Sequence, residues 1–417
     1  MRKVGGAIAL LVVLALVIGG LAWWAARPDE PDAFYDRPTD VPSTSGVVVR
    51  AEPLTRGVPD GASAWRILYT STGMDDEPTV VSGTVLIPDA VPSASTEATS
   101  SRPVLAWAHG TTGVARGCAP SMMANPWGGI PALDEVIEQG WIVVATDYEG
   151  LGTEGRHPYL VGDVAARNVL DSIRAVASLA EREPDAFGEA PPSNTSVVWG
   201  HSQGGHSTIF TVQAGGYAPE LEVVGGAAIA PATDLAGLLE AAQDSAAGKA
   251  LTSLAMVSWA DVYDDVELGQ VVRGPARPLV EDIASRCIIV PEALVTLAEA
   301  SAIRRGVLAV DPSEDPVLSA RIAENTPTGV SDTGDDLRFF VAQGLDDEVV
   351  APAVTERWAS TACDVGSTVV ELHTYEGQDH LSIVADDSPV DDALLRWTEE
   401  RLQPTGPPPR TCTTTEH

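Results

Sequence analysis

The stretch VVWGHSQGGHSTIF, from Val197 to Phe210, decides how the rest of the sequence is interpreted. An apolar run ends at a glycine, a serine follows between two glycines, and residues that favour a helix come next. The pattern Gly-x-Ser-x-Gly at Gly200, Ser202 and Gly204 is typical of a nucleophile elbow, a tight turn that presents a serine between a strand and a helix. The alternative is a glycine-rich corner without a catalytic role, so the surrounding sequence must distinguish the two.

Short apolar runs alternate with helical patterns on both sides of this stretch. The runs that predict strands are AWRILYTS (64–71), VVSGTVLIP (80–88), PVLAWAH (103–109), WIVVATD (141–147), VVGGAAIA (223–230), LRFFVAQG (337–344) and TVVELHTY (368–375). A long amphipathic helix is predicted to begin at Asp163. Near-continuous apolar runs indicate strands that are covered on both faces, and hence a mostly parallel sheet flanked by helices. The sequence therefore predicts an α/β fold.

The segment between Ala230 and Leu337 breaks this alternation. From about residue 235 to about residue 323 the pattern is mostly helical, and the segment is too long for a connecting loop. We expect a mainly helical cap, inserted before the strand that carries the catalytic acid. It should cover the carboxyl edge of the sheet, where α/β proteins bind their ligands.

A serine hydroxyl becomes a good nucleophile when a histidine takes its proton and a carboxylate orients that histidine. Candidates for both partners follow Ser202 in the chain. GLDDEVVAP comes directly after the strand LRFFVAQ, where such an acid belongs, and we favour Asp347, which heads DEVV, over Asp346. For either aspartate the alternative is a solvated turn residue.

His380, in YEGQDHLS, is the predicted base, because among the seven histidines it alone is loop-borne and follows the acid in the chain. The other six are excluded by position: His109, His157, His201, His206, His373 and His417.

Acyl transfer also needs amide donors that face the developing oxyanion. We expect these to be the amide of Gln203, directly after the serine, and that of Thr111, in the turn HGTTG. The alternative for Thr111 is a turn without this role.

The N-terminus predicts a membrane segment. Residues 4–26 form an uncharged apolar and glycine run that is long enough to span a bilayer. Arg2 and Lys3 suit the cytoplasmic side, and Trp23 and Trp24 suit the outer interface. We therefore expect residues 1–26 to be an uncleaved anchor, with a cleaved signal sequence as the alternative, and the catalytic part to be exported. Residues 27–46, rich in Pro, Asp, Ser and Thr, predict a linker, which leaves residues 47–417 as the catalytic domain.

Charge and cysteine usage restrict the partners. The net charge of -34 argues against nucleic acid as a partner, because such a surface repels phosphate backbones. The four cysteines of an exported chain suggest two disulfides, for which three pairings exist. Four buried free thiols are the alternative. No metal site is predicted, since neither Cys-x-x-Cys nor His-x-x-x-His spacing occurs.

Four segments in this order resemble the secretory lipase family, the lipase A-like branch of the α/β hydrolases. They are WAHGTTGVARGCAPS, ATDYEGLGTEGRHPYLVGDVAARNVLDSIRA, VVWGHSQGGH and GLDDEVVAP, and the resemblance extends from about Val47 to the C-terminus. It implies an α/β-hydrolase fold with a helical cap over the acyl site, and a triad of Ser202, Asp347 and His380. It also implies the disulfides Cys118–Cys287 and Cys363–Cys412. The membrane-length N-terminus departs from the family, since many relatives are freely secreted.

The sequence thus predicts an exported serine hydrolase of carboxylic esters, a lipase or esterase. The predicted chemistry needs no metal or organic cofactor, and the partners are an ester substrate and, through the N-terminus, a membrane. No obligate protein partner is implied. Two alternatives remain open: a serine peptidase of the same fold, although a large N-terminal module typical of prolyl-peptidase relatives is missing, and a non-catalytic binding protein of the envelope.

Overall fold

The computed structural model describes residues 27–417, with the exception of residues 75, 91–100, 290–291, 366 and 408. Ten strands of this part form a single sheet in the order β1-β2-β3-β5-β4-β6-β7-β8-β9-β10. The strands are β1 (Val48–Leu54), β2 (Ala62–Thr72), β3 (Pro78–Pro88), β4 (Arg102–Ala108), β5 (Ile142–Thr146), β6 (Pro192–His201), β7 (Glu222–Ile229), β8 (Arg338–Gly344), β9 (Val369–Tyr375) and β10 (Thr413–Glu416). From β5 through β10 the neighbouring strands run parallel, and only the β1, β2 and β3 side of the described sheet is antiparallel. The predicted mostly parallel sheet is confirmed.

Helices cover both faces of the sheet. The α-helices of the described residues are α1 (Leu133–Glu138), α2 (Gly162–Arg182), α3 (Pro184–Phe187), α4 (Gln203–Gln213), α5 (Leu235–Ala241), α6 (Ala246–Val262), α7 (Leu268–Val271), α8 (Arg277–Ala284), α9 (Glu292–Ala302), α10 (Pro316–Glu324), α11 (Pro352–Asp364) and α12 (Asp391–Leu402). On β6, Val197 and Trp199 face one apolar cluster and Val198 faces the other, as the two-residue repeat of a strand requires. A strand that is buried on both faces must be apolar throughout, which explains the uninterrupted run in the sequence.

The predicted cap is confirmed between β7 and β8. Helices α5 to α10 lie in this insertion and pack around an apolar cluster, which includes Leu254, Trp259, Val280 and Leu318. The disulfide Cys118–Cys287 joins the insertion to the loop that follows β4, with Cα atoms 5.3 Å apart. The second disulfide, Cys363–Cys412, joins the end of α11 to the segment before β10. The cap therefore shares its apolar cluster with Val114, Tyr159, Val161 and Val164 outside the insertion, and a disulfide also ties it to the loop after β4.

The predicted linker over residues 27–46 is wrong for its central part. Phe34 and Tyr35 lie in a short 3-10 helix and are only 4% and 1% exposed. The Tyr35 hydroxyl lies 2.8 Å from Ser121 Oγ, and the Arg66 guanidinium lies 4.1 Å from the centroid of the Phe34 ring. The high content of Pro, Asp, Ser and Thr predicted a linker, although the segment also contains these two aromatic residues. Burial of their rings holds the segment against the rest of the domain.

The predicted N-terminal anchor, residues 1–26, lies outside the described residues. Within the part of the chain that the structure does describe, no helix is both long enough and apolar enough to cross a membrane.

Candidate active site

Ser202 lies in the sharp turn between β6 and α4. Its backbone angles, φ 57° and ψ -115°, fall in a sparsely populated region for a residue with a side chain. The neighbouring glycines permit this turn, because a Cβ atom on Gly200 would overlap the backbone of Gly204, and one on Gly204 would overlap the carbonyl of Ala108. Helix α4 therefore approaches β4 and β6 closely, and the turn projects the serine side chain beyond the end of β6.

The predicted acid, base and serine meet in one chain of hydrogen bonds. His380 Nδ1 lies 2.7 Å from Asp347 Oδ2, and His380 Nε2 lies 2.9 Å from Ser202 Oγ. An ionised carboxylate can only accept, so Nδ1 carries the proton and Nε2 is free to accept from the serine hydroxyl. This is the arrangement in which a histidine can remove the proton of the serine.

Asp347 is held as a carboxylate by its surroundings, whereas Asp346 is exposed. The amides of Val349 and Val350 each donate to Asp347 Oδ1 at 2.8 Å. Burial by itself raises the pKa of Asp347, but the hydrogen bonds from His380 and these amides outweigh it, so the pKa lies below its ordinary value. The anionic form is thus the one that this pocket stabilises.

His201, the variable residue of the elbow, supports the loop that carries His380. Its Nε2 donates to the carbonyl oxygen of His380 at 2.7 Å, and the two rings lie 4.7 Å apart. Burial, assisted by the nearby His380, lowers the pKa of His201 to about 3, so its ring is neutral at physiological pH. His201 is therefore a positioning residue that sequence reasoning had assigned no role.

Thr111 and Gln203 lie on two turns that flank the serine. Gln203 is the first residue of α4, so its amide belongs to the helix end that has no intrahelical acceptor. Thr111 follows Gly110, on which a Cβ atom would lie 3.8 Å from Ser202 Cβ. The Thr111 hydroxyl lies 2.8 Å from the Tyr159 hydroxyl. Both backbone segments are close enough to the serine to line an oxyanion site.

His157 and Tyr159 are further site residues, and sequence reasoning missed their contacts. Gln203 Nε2 donates to His157 Nε2 at 2.7 Å, while His157 Nδ1 donates to the carbonyl of Glu149 at 3.1 Å. Burial, together with His109, lowers the pKa of His157 to about 3, so the ring remains neutral and can accept. Both residues stand in the segment RHPYLVGD, which the sequence analysis used only for the family resemblance. No local pattern in this segment predicts that His157 contacts Gln203, which lies 46 residues further along the chain.

A cavity opens on Ser202 beneath the cap. Glu348 lies at its wall beside the triad, and the remainder is largely apolar. The apolar side chains that line it include Leu235, Leu238, Leu239, Leu251, Ala255, Trp259 and Val350. Such a cavity can accept a hydrocarbon group bonded to a carbonyl carbon near Ser202 Oγ. No group of three or more histidine, cysteine, aspartate or glutamate side chains within the described residues is placed to hold a metal ion.

Comparison with known proteins relates the chain to a family of lipases. Residues 131–408 match the secretory lipase family. A probable inactive lipase of Mycobacterium tuberculosis is 27% identical over 219 residues, 49% of this chain and 46% of that protein. Lipase A of Arthroderma benhamiae is 29% identical over 229 residues, 50% of this chain and 45% of that protein. The match thus spans less than half the length of these two relatives.

The fold has a solved counterpart. The X-ray structure of Candida antarctica lipase A superimposes with a TM-score of 0.73 at 16% identity, and the match covers 93% of this chain and 89% of that one. At this identity the likeness concerns the fold, which is that of the α/β hydrolases. The match over residues 131–408 exceeds half of the chain, and we conclude that the chain belongs to the secretory lipase family.

Proposed function

We propose that this chain is a serine hydrolase of carboxylic esters that acts through an acyl-enzyme. The observation that carries the proposal is the continuous chain of hydrogen bonds from Asp347 through His380 to Ser202, with an apolar cavity opening on the serine. Family membership supports ester hydrolysis as the reaction class.

In the first half of the reaction, Ser202 Oγ attacks the ester carbonyl carbon as His380 Nε2 takes the hydroxyl proton. The imidazolium that forms is stabilised by Asp347, which already accepts from Nδ1. The amides of Thr111 and Gln203 donate to the negative oxygen of the tetrahedral intermediate. As the intermediate collapses, His380 gives its proton to the departing alcohol, and the acyl group remains on Ser202.

In the second half, a water molecule attacks the acyl carbonyl while His380 Nε2 takes a proton from it. Collapse of the second tetrahedral intermediate breaks the bond between Ser202 Oγ and the acyl carbon. The serine recovers its proton from His380, and the carboxylic acid leaves. Each step uses side chains, backbone amides and water, so the proposed mechanism requires no metal or organic cofactor.

The cavity favours esters with an apolar acyl group. Its wall is built from leucine, alanine and tryptophan side chains of α5 and α6, and a hydrocarbon chain placed there would be removed from water. We therefore expect lipase or carboxylesterase substrates. Acidic or strongly polar acyl groups should be poor substrates, because they would lose hydration without gaining a partner.

The similarity to a probable inactive lipase favours one second candidate, a protein of this fold that binds without catalysis. The experiment that separates the possibilities uses purified protein, a series of p-nitrophenyl esters of increasing acyl length, and aminoacyl p-nitroanilides. Ester turnover that depends on acyl length and is absent from the Ser202→Ala variant supports the proposal. Turnover of the anilides alone would indicate a peptidase, and saturable ester binding without turnover would indicate the binding protein.

We further propose that the catalytic domain is exported and held at the membrane by residues 1–26. Two disulfides support an oxidising compartment, and residues 4–26 have the length and apolarity of a membrane segment. Cell fractionation tests this: an anchored protein sediments with membranes and is released by detergent but not by salt. A soluble mature protein that begins near Arg27 would instead show cleavage, and would leave the catalytic proposal untouched.

A further inference from the structure

A surface concavity of the cap is lined by three arginines, Arg273, Arg304 and Arg305, all exposed. The two segments that carry them are joined directly, because the amide of Arg273 donates to the carbonyl of Val307 at 2.9 Å. The described lining contains no carboxylate, although the chain has 59 acidic residues against 25 basic ones. The concavity is therefore a local cationic area on a strongly acidic protein.

None of these three guanidinium groups forms an ion pair with the residues that the structure describes. By contrast, other arginines of the cap region are paired, for example Arg321 with Asp265 and Glu324. Positive charge is thus concentrated on this surface without internal neutralisation.

Apolar groups lie between the arginines. Leu279 is half-buried, and the exposed Pro275, Ala302 and Ala309 share the same lining. A site for a small hydrated anion would be lined by polar donors alone, whereas the region between the headgroups and the acyl chains of a bilayer presents both phosphates and hydrocarbon. Guanidinium groups bind phosphate oxygens in a bidentate manner, and their stems tolerate apolar surroundings.

The concavity also adjoins the wall of the active-site cavity. Gln243 Oε1 accepts from the amides of Val307 and Leu308, at 2.9 and 3.3 Å, while Ala241 and Ala242 line the cavity that opens on Ser202. A ligand surface in contact with the three arginines would therefore lie beside helix α5, which forms one wall of the active-site cavity.

We propose that the concavity formed by Arg273, Arg304, Arg305 and Leu279 is a docking surface for an anionic lipid bilayer. A net charge of -34 repels such a bilayer from most of the molecule, so contact is directed to this local area of unpaired positive charge. The occupant is the phosphate-bearing surface of the membrane itself. This inference goes beyond the proposed function and does not depend on it, because binding can be measured without turnover.

The test measures how the full chain partitions onto vesicles of phosphatidylcholine alone and of phosphatidylcholine mixed with phosphatidylglycerol. The ratio of the two partition coefficients isolates the effect of lipid charge, because any contribution of residues 1–26 acts on both kinds of vesicle. The variant carries Arg273→Gln, Arg304→Gln and Arg305→Gln. A control with the same change in net charge replaces exposed arginines elsewhere, Arg182→Gln, Arg396→Gln and Arg410→Gln.

We expect the ratio to fall about fivefold for each arginine replaced in the concavity, and by about two orders of magnitude for all three. The control variant should retain most of the preference, and high salt should abolish it in both proteins. Hydrogen–deuterium exchange of the unmodified chain should slow in residues 271–280 and 302–309 with anionic vesicles only. The proposal would be overturned if the ratio fell equally in the two variants, or if the unmodified chain showed no preference for anionic vesicles. Equal protection by free inorganic phosphate would show a soluble-anion site instead.

Discussion

The sheet that carries the proposed triad and the cap that covers it are held in place by different physical means. Around the elbow, position is set by the backbone, through the parallel strands and the close approach of Gly204 to β4. The cap packs through side chains, around an apolar cluster that extends to Val114, Tyr159, Val161 and Val164 outside the insertion. Trp259 Nε1 donates to the carbonyl of Tyr159 at 2.9 Å, and the Tyr159 amide donates to Ser258 Oγ at 2.8 Å.

This difference separates chemistry from selectivity. In the proposed mechanism the sheet side supplies the groups that form and break bonds, and each is fixed by a short path through the backbone. The cap supplies the apolar wall of the cavity, and we expect its side chains to change size with little effect on the triad. Tyr159 links the two, because it contacts both Thr111 and helix α6. Variants of the two regions should therefore differ in what they change, and four of them test this.

The largest effect is expected from Ser202→Ala, which removes the proposed nucleophile. Turnover of esters should fall by roughly four to six orders of magnitude, since such residues act as a unit with their base. The free energy of unfolding should change little. Steady-state kinetics and urea unfolding measure both quantities, with Ser207→Ala, one turn along α4, as the control that keeps its activity. Hydrolysis near the unmodified rate in the Ser202 variant would contradict the mechanism.

Asp347→Asn should reduce turnover by about four orders of magnitude, because an amide favours the wrong tautomer of the histidine. The neighbouring Asp346→Asn is the matched control and should have a mild effect, since Asp346 is exposed. The kcat of the two purified variants distinguishes them. If the Asp346 variant lost most of its turnover and the Asp347 variant little, the acid of the triad would be Asp346 instead.

The two disulfides should stabilise the fold unequally. They join residues 169 and 49 positions apart, so the chain-entropy model gives contributions of about 5 and about 4 kcal/mol, respectively. Urea unfolding of the double variants Cys118→Ser with Cys287→Ser, and Cys363→Ser with Cys412→Ser, measures them. The first pair should cost more, and should also loosen the attachment of the cap. The reverse order would show that the cap is held mainly by other contacts.

The smallest effect is expected from Leu251→Trp, which narrows the cavity from the cap side. The kcat/KM for long-chain esters should fall by about tenfold or more, while that for acetyl esters changes little, because hydrocarbon pockets discriminate modestly between chain lengths. Leu294→Trp is the control, since Leu294 is 68% exposed on α9. An equal loss for all chain lengths would mean that Leu251 acts on the triad rather than on selectivity.

Features that the backbone determines could be predicted from the sequence, whereas several contacts between distant side chains could not. Strands such as Val197–Trp199 were predictable because a buried strand must be apolar at every position, and the elbow because only glycine fits beside Ser202. Strands β1 and β10 were missed. β10 is exposed throughout and consists mainly of threonine, so no periodic burial marks it, and β1 is only partly buried.

Two long-range polar contacts beside the triad were not predictable, because no motif marks them. The contacts of His157 with Gln203, and of Tyr159 with Thr111, join residues that are 46 and 48 positions apart and depend on the folded backbone. The docking of Phe34 and Tyr35 was hidden for a similar reason: a polar, proline-rich composition predicts a linker, and only the surface on which the rings pack shows otherwise.

The most direct test of Ser202 as the nucleophile is covalent trapping. The native protein is treated with a fluorophosphonate, which reacts with activated serine hydroxyls, and the modified peptide is identified by mass spectrometry after digestion. We predict one label per chain, on Ser202, with loss of ester hydrolysis in proportion to labelling. The His380→Ala variant should label far more slowly, because Ser202 then lacks its base. A label on another serine, or full hydrolysis by a protein labelled at Ser202, would contradict the proposed mechanism.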